Sequence, residues 1–246
     1  MNACVIIPAR FNSSRFPGKP LVKINGKEMI LWVAEICSKA VNISNVFVAT
    51  DDNRISDLVT NYGYQAIFTS SDLLTGTDRV AQAAQKLDYE VYVNVQGDEP
   101  LIDPDDILKA IELKIKYPKS VINSYCSLTE NEDPNNKNIP KVAITENSDL
   151  IYISRAAIPQ SKNADCNLSF KKQVCIYSYN FNDLEKFLGY GRKSSIEKVE
   201  DIEILRFFEL NINIKMFEAS KSSLAIDVPK DVEIVEKSLK MYNNFK

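Results

Sequence analysis

The sequence predicts an α/β fold, with a mostly parallel central sheet covered by helices on both faces. Short apolar strands alternate with amphipathic helices in the first half of the chain, a pattern typical of buried parallel sheets. The strands are predicted at 4–7, 46–50, 65–69 and 91–95, and the helices at 29–40, 53–62, 77–87 and 105–116. Ligands of such sheets bind beyond the carboxyl ends of the strands. The polar residues that follow each strand are therefore the first candidates for a site.

The second half of the sequence is less regular. It predicts strands at 141–144, 150–153, 174–179 and 212–217, a helix at 195–208 capped by Ser194 or Ser195, and a final helix from Pro229. The acidic residues between Glu197 and Glu203 indicate a solvated helix face. Because no linker, repeat or low-complexity tract interrupts the 246 residues, we expect one domain over 1–246. An irregular arm is expected around 118–220.

Composition excludes several classes of function. The formal net charge of −3 disfavours a nucleic-acid-binding protein. The chain has no long apolar run or signal-peptide pattern, and its five scattered cysteines include no C-x-x-C, so we expect a cytoplasmic protein without membrane insertion. The absence of histidine excludes Ser-His-Asp and Cys-His catalysis and the common zinc sites. A metal would have to be bound mainly by oxygen, which indicates Mg²⁺.

The first strand leads into a loop that combines cations and hydroxyl groups. Pro8 is predicted to end the strand, and the cations and hydroxyls of the loop belong to Arg10, Ser13, Ser14, Arg15 and Lys19. The loop matches neither the Walker pattern nor the dinucleotide-binding fingerprint. Fixed cations can bind a polyanion such as a nucleoside triphosphate. The sequence alone leaves this interpretation and that of a solvated basic turn equally open.

Two aspartates that follow strands are candidate metal ligands. Asp98 follows the strand 91–95 and the tight turn at Gly97. A metal-binding role is favoured over a helix-capping role for Asp98, because Asp103 is the better cap for the next helix. Asp227 also follows a short apolar run, but a Pro-started helix comes directly after it. Taken alone, Asp227 is better explained as the cap of that helix.

Three further cations are candidates for substrate binding. Arg79 lies in the first turn of a helix, where it would contact a base or a phosphate, or form a surface salt bridge. Arg155 follows a strand and has the fork geometry that binds a substrate carboxylate in a bidentate manner. Lys141 begins the strand 141–144 and joins the candidate substrate-binding residues.

Five motifs occur in an order that resembles the 3-deoxy-manno-octulosonate cytidylyltransferases, also called CMP-Kdo synthetases. They are I-I-P-A-R-x-x-S-x-R-x-P-G-K-P-L, T-G-T-D-R, V-N-V-Q-G-D-E-P, S-R-A-A-I-P and I-D-V-P-K-D, and the match runs over nearly the whole chain. The resemblance implies a nucleotide-diphospho-sugar transferase-like fold and a homodimer whose contact lies in the second half. It also implies that CTP and a keto-acid sugar form CMP-sugar and pyrophosphate, with Mg²⁺.

The resemblance also implies roles for individual residues. Arg10, Ser13 and Lys19 would bind the triphosphate, and Arg79 and Gln96 would lie near cytosine and ribose. Asp98 and Asp227 would bind magnesium, and Arg155, Gln173, Tyr177 and Glu203 would contact the sugar. Arg15 is a further candidate for nucleotide binding and Lys141 for substrate binding. Lys19, Asp98 and Asp227 are the expected catalytic residues. The anomeric hydroxyl would attack the α-phosphorus in line, without a protein nucleophile.

Two departures from the family pattern lie on the sugar side. Gln173 replaces the usual histidine of H-L-G-I-Y-x-Y, and Ile204 replaces the glutamine of E-Q-L-R. The sequence therefore leaves open whether the sugar is Kdo itself, a modified octulosonate or a nonulosonate. A nucleotide-binding regulator without turnover is a further alternative, but a pure binder would not need both Asp98 and Asp227.

Overall fold

The computed structural model describes residues 2–12, 16–130, 132–162, 169–220, 224–226 and 228–243, with side chains of the last helix through Leu239. The elements are β1 (Ala3–Ala9), β2 (Lys23–Ile24), β3 (Lys27–Glu28), α1 (Met29–Ala40), β4 (Val46–Thr50), α2 (Asn53–Asn61), β5 (Gln65–Phe68), α3 (Gly76–Ala84), β6 (Val91–Val95), α4 (Pro104–Lys116), β7 (Val121–Ser127), β8 (Lys141–Ile144), β9 (Leu150–Ser154), β10 (Lys171–Tyr179), α5 (Phe181–Gly189), α6 (Ser195–Glu200), α7 (Arg206–Glu209), β11 (Ile214–Glu218) and α8 (Lys230–Asn243). Short 3₁₀ helices occur at Lys19–Leu21, Ile43–Asn45 and Glu203–Leu205.

Most strands of the central sheet are parallel, which confirms the predicted fold class. Within the described residues the strand order is β11-β7-β10-β6-β1-β4-β5, and β8 and β9 extend the sheet from β10. The pairs of β1 with β4 and β6 and of β4 with β5 are parallel, whereas β10 is antiparallel to β6 and β7. The carboxyl ends of β1 and β6 therefore meet at the same edge of the sheet.

Alternating side chains of the central strand β1 face two hydrophobic layers. Val5 and Ile7 pack in one buried cluster with side chains of α1 and α4. Cys4 and Ile6 pack in the other, with side chains of α3 and α5. The sheet is thus covered on both faces, as predicted from its uninterrupted apolar strands.

The structure differs from the predicted elements at several places. β1 continues through Pro8 to Ala9 in its parallel ladder with β4. The ladder with β6 ends at Ile6, so Pro8 removes no hydrogen bond from that pair. The sequence pattern does not predict β2, β3, β7 or α5. β7 has no apolar alternation because it contains the buried polar side chains of Asn123 and Ser124. The Asn123 amide donates to the carbonyls of Val174 and Ile176 at an irregularity in β10.

The predicted helix 195–208 is interrupted. Asp201 ends α6 in the left-handed region at φ 51°, and a 3₁₀ turn precedes α7. The prediction of a solvated acidic face is wrong, because Glu197 is fully buried. Its carboxylate accepts hydrogen bonds from Arg206 Nη2 at 2.6 Å and Nε at 2.9 Å.

Arg206 connects α7 with the first turn of α3. Its Nη1 donates to Asp78 Oδ1 at 2.7 Å, and its guanidinium lies 3.8 Å from the ring centroid of Phe187. Burial opposes the charged guanidinium, but Glu197 and Asp78 outweigh it and raise the pKa of Arg206. One buried cation thus bridges two buried carboxylates and holds α3 against α6 and α7.

Residues 118–220 supply β7 to β11 to the same sheet. A single domain over 1–246, and the use of this region as the contact of a homodimer, stay predictions. Among the described residues, no helix combines the length and the apolar character needed to cross a membrane.

We predict that Arg206→Met lowers the free energy of unfolding by about 3–5 kcal/mol, because it leaves the carboxylates of Asp78 and Glu197 buried without their cation. Urea unfolding at pH 7 measures the change. Arg192→Met is the matched control: this arginine is exposed, so its replacement should change stability by less than about 0.5 kcal/mol. Equal effects of the two substitutions would show that the buried charge cluster is not needed for the fold.

Candidate active site

A cleft with two adjoining lobes opens at the carboxyl edge of β1 and β6. The inner lobe has a volume of about 170 Å³ and is lined by Pro8, Ala9, Arg10, Lys19, Pro20, Met29, Leu73, Thr75, Gly76, Arg79, Gln96, Gly97 and Asp98. The outer lobe has a volume of about 600 Å³. Arg10, Thr75, Gly76, Gln96 and Asp98 line both lobes and form the wall that they share.

Lys19 joins three segments at the inner lobe. The chain enters the 3₁₀ turn through Gly18, whose φ of 70° is easily adopted only without a side chain. The Lys19 ammonium donates to Asp98 Oδ2 at 2.6 Å and to the carbonyl of Ile226 at 2.9 Å. The backbone N–H of Ile226 donates to the carbonyl of Asp98 at 2.9 Å. Ile226 is therefore held directly beside Asp98.

Gly97 lets β6 turn close against β1. A Cβ at this position would lie 3.0 Å from the carbonyl oxygen of Pro8. The small residue allows the following carboxylate, Asp98, to reach the shared wall, where its side chain is 25% exposed. This agrees with the tight turn predicted at Gly97.

Arg79 forms part of the wall of the inner lobe. Its side chain is 4% exposed, and its Nη2 lies 3.0 Å from Asp51 Oδ2. A second hydrogen bond goes from Nη1 to the hydroxyl of Thr69. Burial lowers the pKa of Arg79, and Asp51 opposes that shift. Arg79 is thus a buried, oriented cation and not an arginine of the solvated surface.

Arg155 lines the outer lobe, and its side chain is held by backbone carbonyls where the chain is interrupted between α6 and the 3₁₀ turn. Its Nη2 donates to the carbonyl of Asp201 at 3.0 Å, its Nη1 to that of Lys137 at 2.7 Å, and its Nε to that of Glu200. Glu200 Oε2 accepts the backbone N–H of Arg155 at 2.9 Å. Burial opposes ionisation of Glu200, but its hydrogen bonds outweigh burial and lower its pKa.

Lys141 lies behind the outer lobe. Its side chain is fully buried, and its ammonium donates to the carbonyls of Asn136 at 2.9 Å and of Ile139 and Arg155 at 2.6 Å. Burial lowers its pKa, and the neighbouring Arg155 adds to the effect. The three N–H donors of Lys141 are all used to hold a loop that lines the lobe.

β10 supplies Gln173, Cys175 and Tyr177 to the outer lobe. The amide of Gln173 donates to Asn123 Oδ1 at 3.0 Å, and the backbone N–H of Cys175 donates to Glu99 Oε1 at 2.9 Å. Tyr177 is 3% exposed, and burial raises its pKa. Burial and the carboxylate of Glu99 also raise the pKa of Cys175, so its thiol is neutral at pH 7.

The structure brings most of the predicted site residues to one cleft. Arg10, Lys19, Arg79, Gln96 and Asp98 line the inner lobe, and Arg155, Gln173, Tyr177 and Glu203 line the outer lobe. Of the other candidates, Lys141 lies behind the cleft, and Ser13, Arg15 and Asp227 lie outside the described residues. The predicted cap of α4 is confirmed, since Asp103 accepts the N–H of Asp105 at 3.1 Å.

Sequence reasoning missed two carboxylates that shape the outer lobe. Glu99 follows β6 within the motif V-N-V-Q-G-D-E-P and supports β10 through Cys175. Its position after a strand is the sequence feature that could have identified Glu99 as a site residue. Glu200 supports Arg155, and the helical pattern hid this role because a continuous helix would place Glu200 on a solvated face. In the structure the left-handed residue Asp201 turns the chain back towards Arg155.

The cytidylyltransferase family model matches residues 4–221 of the chain. The 3-deoxy-manno-octulosonate cytidylyltransferase of Thermodesulfovibrio yellowstonii is 40% identical over 97% of this chain and 98% of its own length. The 8-amino-3,8-dideoxy-manno-octulosonate cytidylyltransferase of Shewanella piezotolerans is 37% identical over 97% of this chain and 99% of its own length. The solved structure of a CMP:2-keto-3-deoxy-manno-octonic acid synthetase with CTP is 34% identical and covers 98% of this chain, with a TM-score of 0.89.

We predict that Lys19→Met weakens the binding of inorganic tripolyphosphate about tenfold or more, because it removes a cation and leaves the negative charge of Asp98 at the same wall. Calorimetric titration in the presence of a chelator measures the affinity. Lys23→Met is the matched control, since Lys23 is exposed on β2 and does not line the inner lobe. Equal losses in the two variants would mean that the anion binds elsewhere.

Proposed function

The chain belongs to the cytidylyltransferase family, and we propose that it transfers the cytidylyl group of CTP to a 3-deoxy-2-keto acid sugar, Kdo or a close relative. The products would be CMP-sugar and pyrophosphate. The observation that carries the proposal is the two-lobed cleft, in which a small cationic lobe and a larger polar lobe share one wall. Such a wall lets a nucleotide in one lobe present its α-phosphate to a hydroxyl in the other.

The inner lobe suits the nucleotide. Arg10, Lys19 and Arg79 supply three cations around a volume of about 170 Å³. Arginine and lysine form charge-assisted hydrogen bonds to phosphate oxygens, and a buried arginine can also contact a base edge. In this proposal Arg10 and Lys19 bind the triphosphate together with Ser13 and Arg15, and Arg79 lies nearer to the base and the ribose.

Nucleotidyltransferases of this kind generally use a divalent metal, and the residues present fit Mg²⁺. Among the described residues no group of three or more cysteine or acidic side chains is arranged so that it could hold a metal ion. Mg²⁺ does not need such a cluster, because it is typically bound by one or two carboxylates and by the phosphates of its substrate. Asp98 offers a part-exposed carboxylate at the shared wall, and we propose Asp227 as the second ligand. When bound, the ion would neutralise charge on the phosphate oxygens.

The proposed reaction is a direct displacement. The anomeric oxygen of the sugar forms a bond to the α-phosphorus, while the bond from that phosphorus to the oxygen bridging to the β-phosphate breaks. Pyrophosphate leaves, and the proton of the hydroxyl passes to solvent. Arg10 and Lys19 stabilise the charge on the phosphates, and the rigid walls orient the two reactants. The step needs no side-chain nucleophile, in keeping with a chain that has no histidine.

The outer lobe suits an acidic sugar. Arg155 is fixed by backbone carbonyls, and its remaining N–H groups can bind a sugar carboxylate. We propose that Gln173 and Tyr177 contact the sugar hydroxyls, and that Lys141 acts indirectly by holding Arg155 and the loop beside it.

An amino-substituted octulosonate is a second candidate substrate. The carboxylates that line the outer lobe include Glu99 and Asp231, besides Glu132, which is paired with Lys172. Carboxylates can bind the ammonium group that distinguishes such a sugar from Kdo. The similarity to the enzyme of Shewanella piezotolerans, whose name specifies the 8-amino sugar, supports the same candidate.

We predict pyrophosphate release only when CTP, Mg²⁺ and a 3-deoxy-2-keto acid sugar are all present. A panel of Kdo, its 8-amino analogue and a nonulosonate, tested with CTP and UTP, identifies the substrate. Asp98→Asn should lower kcat about 100-fold or more by removing a metal-binding charge, with little change in thermal stability. Asp57→Asn, an exposed position on α2, is the control. CTP binding without turnover on any sugar would contradict the proposed function.

A further inference from the structure

The side-chain amide of Gln96 is held between a carboxylate and a glycine at the wall that the two lobes share. Its Nε2 donates to Glu203 Oε1 at 2.9 Å. The other oxygen of Glu203 accepts the backbone N–H of Thr77, in the first turn of α3, at 2.9 Å. A Cβ on Gly76 would lie 2.9 Å from Gln96 Nε2 and 3.1 Å from its Oε1, so the amide lies directly against the glycine backbone.

This arrangement fixes which end of the amide faces the cleft. An ionised carboxylate accepts hydrogen bonds and donates none, so Gln96 must turn its nitrogen towards Glu203. No group of the described residues donates to Gln96 Oε1, and Gln96 lines both lobes. The site therefore presents a fixed hydrogen-bond acceptor at the junction between the two lobes.

We propose that Glu203 is a positioning residue, which orients Gln96 so that its Oε1 accepts a hydrogen bond from a hydroxyl of the bound substrates. The inference rests on the proposed function and adds a specificity device to it. The hydroxyl belongs either to the ribose of the nucleotide or to the sugar. In this account Glu203 acts through Gln96 and not by direct contact with the sugar, the role that the family resemblance implied.

The alternative of a purely structural carboxylate explains only half of the geometry. Thr75 already caps α3, because its hydroxyl accepts the N–H of Asp78 at 3.1 Å. Burial raises the pKa of Glu203, and the hydrogen bond from Thr77 opposes that shift. As a cap for the N–H of Thr77, the part-buried Glu203 uses only its Oε2, so this role leaves the contact of Oε1 with Gln96 unexplained. Orientation of the Gln96 amide explains why a carboxylate stands at position 203.

A double-mutant cycle of Glu203→Gln and Gln96→Leu tests the proposal. In Glu203→Gln, the new amide can donate to Gln96 and reverse its orientation, so kcat/KM should fall about tenfold or more. In the Gln96→Leu background the same substitution should have almost no further effect, because no amide remains to be oriented. If the variants bind CTP more weakly in the absence of sugar, the hydroxyl belongs to the ribose. If instead their kcat falls while their affinity for CTP is unchanged, the hydroxyl belongs to the sugar.

Gly76→Ala perturbs the amide without touching Glu203. The new Cβ must displace the flexible end of Gln96, while alanine is favourable within a helix. We expect the thermal midpoint to stay the same or rise, and kcat/KM to fall about as far as in Glu203→Gln. Gly189→Ala is the matched control: this residue ends α5, and no atom lies within 4 Å of its added Cβ. Its kinetics should be those of the unsubstituted protein.

Two results would overturn the inference. If the unsubstituted protein turns over and the losses from Glu203→Gln and Gln96→Leu add fully, Glu203 contacts the sugar itself and the positioning role is wrong. If the unsubstituted protein releases no pyrophosphate with any sugar of the panel, the proposed function fails, and this inference fails with it.

Discussion

The ammonium of Lys19 holds together three segments that are far apart in the sequence. It binds the carboxylate of Asp98, which follows β6, and the carbonyl of Ile226 near the start of the last helix. The Ile226 N–H returns a hydrogen bond to the carbonyl of Asp98. The inner lobe depends on this junction, because it sets the distance between the loop after β1 and the carboxylate at the shared wall. Parallel strands that end at one edge make such a junction possible.

Carboxylates of the second half orient the cations and amides of the cleft. Glu200 holds Arg155 and Glu203 orients Gln96. Outside the lining of the cleft, Glu197 and Asp78 of α3 bind Arg206. Each of these contacts joins the region after β10 to an earlier part of the chain or to the outer lobe. The side-chain directions at the shared wall are thus fixed before a ligand arrives, which lowers the entropy lost when two substrates are brought together.

Hydrophobic periodicity predicted the parallel strands of the first half. The polar residues that follow these strands predicted the edge of the sheet at which the cleft opens. Both features failed where tertiary contacts override local pattern. β7 contains buried polar side chains, and Asn123 finds its partners on β10, about 50 residues later, in two carbonyls and the side chain of Gln173. The helical pattern at 195–208 also gave no sign of the left-handed residue Asp201. Glu203 lies after that interruption, so its contact with Gln96 could not be deduced from spacing along one helix.

The stereochemical course at the α-phosphorus tests the central claim most directly. In the proposed reaction, the two lobes bring a sugar hydroxyl and the α-phosphate into a single in-line displacement, without a covalent intermediate on the protein. CTP carrying a sulfur of known configuration on the α-phosphorus should therefore give a product of inverted configuration. Retention would require two displacements, hence a nucleotidyl group carried by a side chain, and would contradict the account.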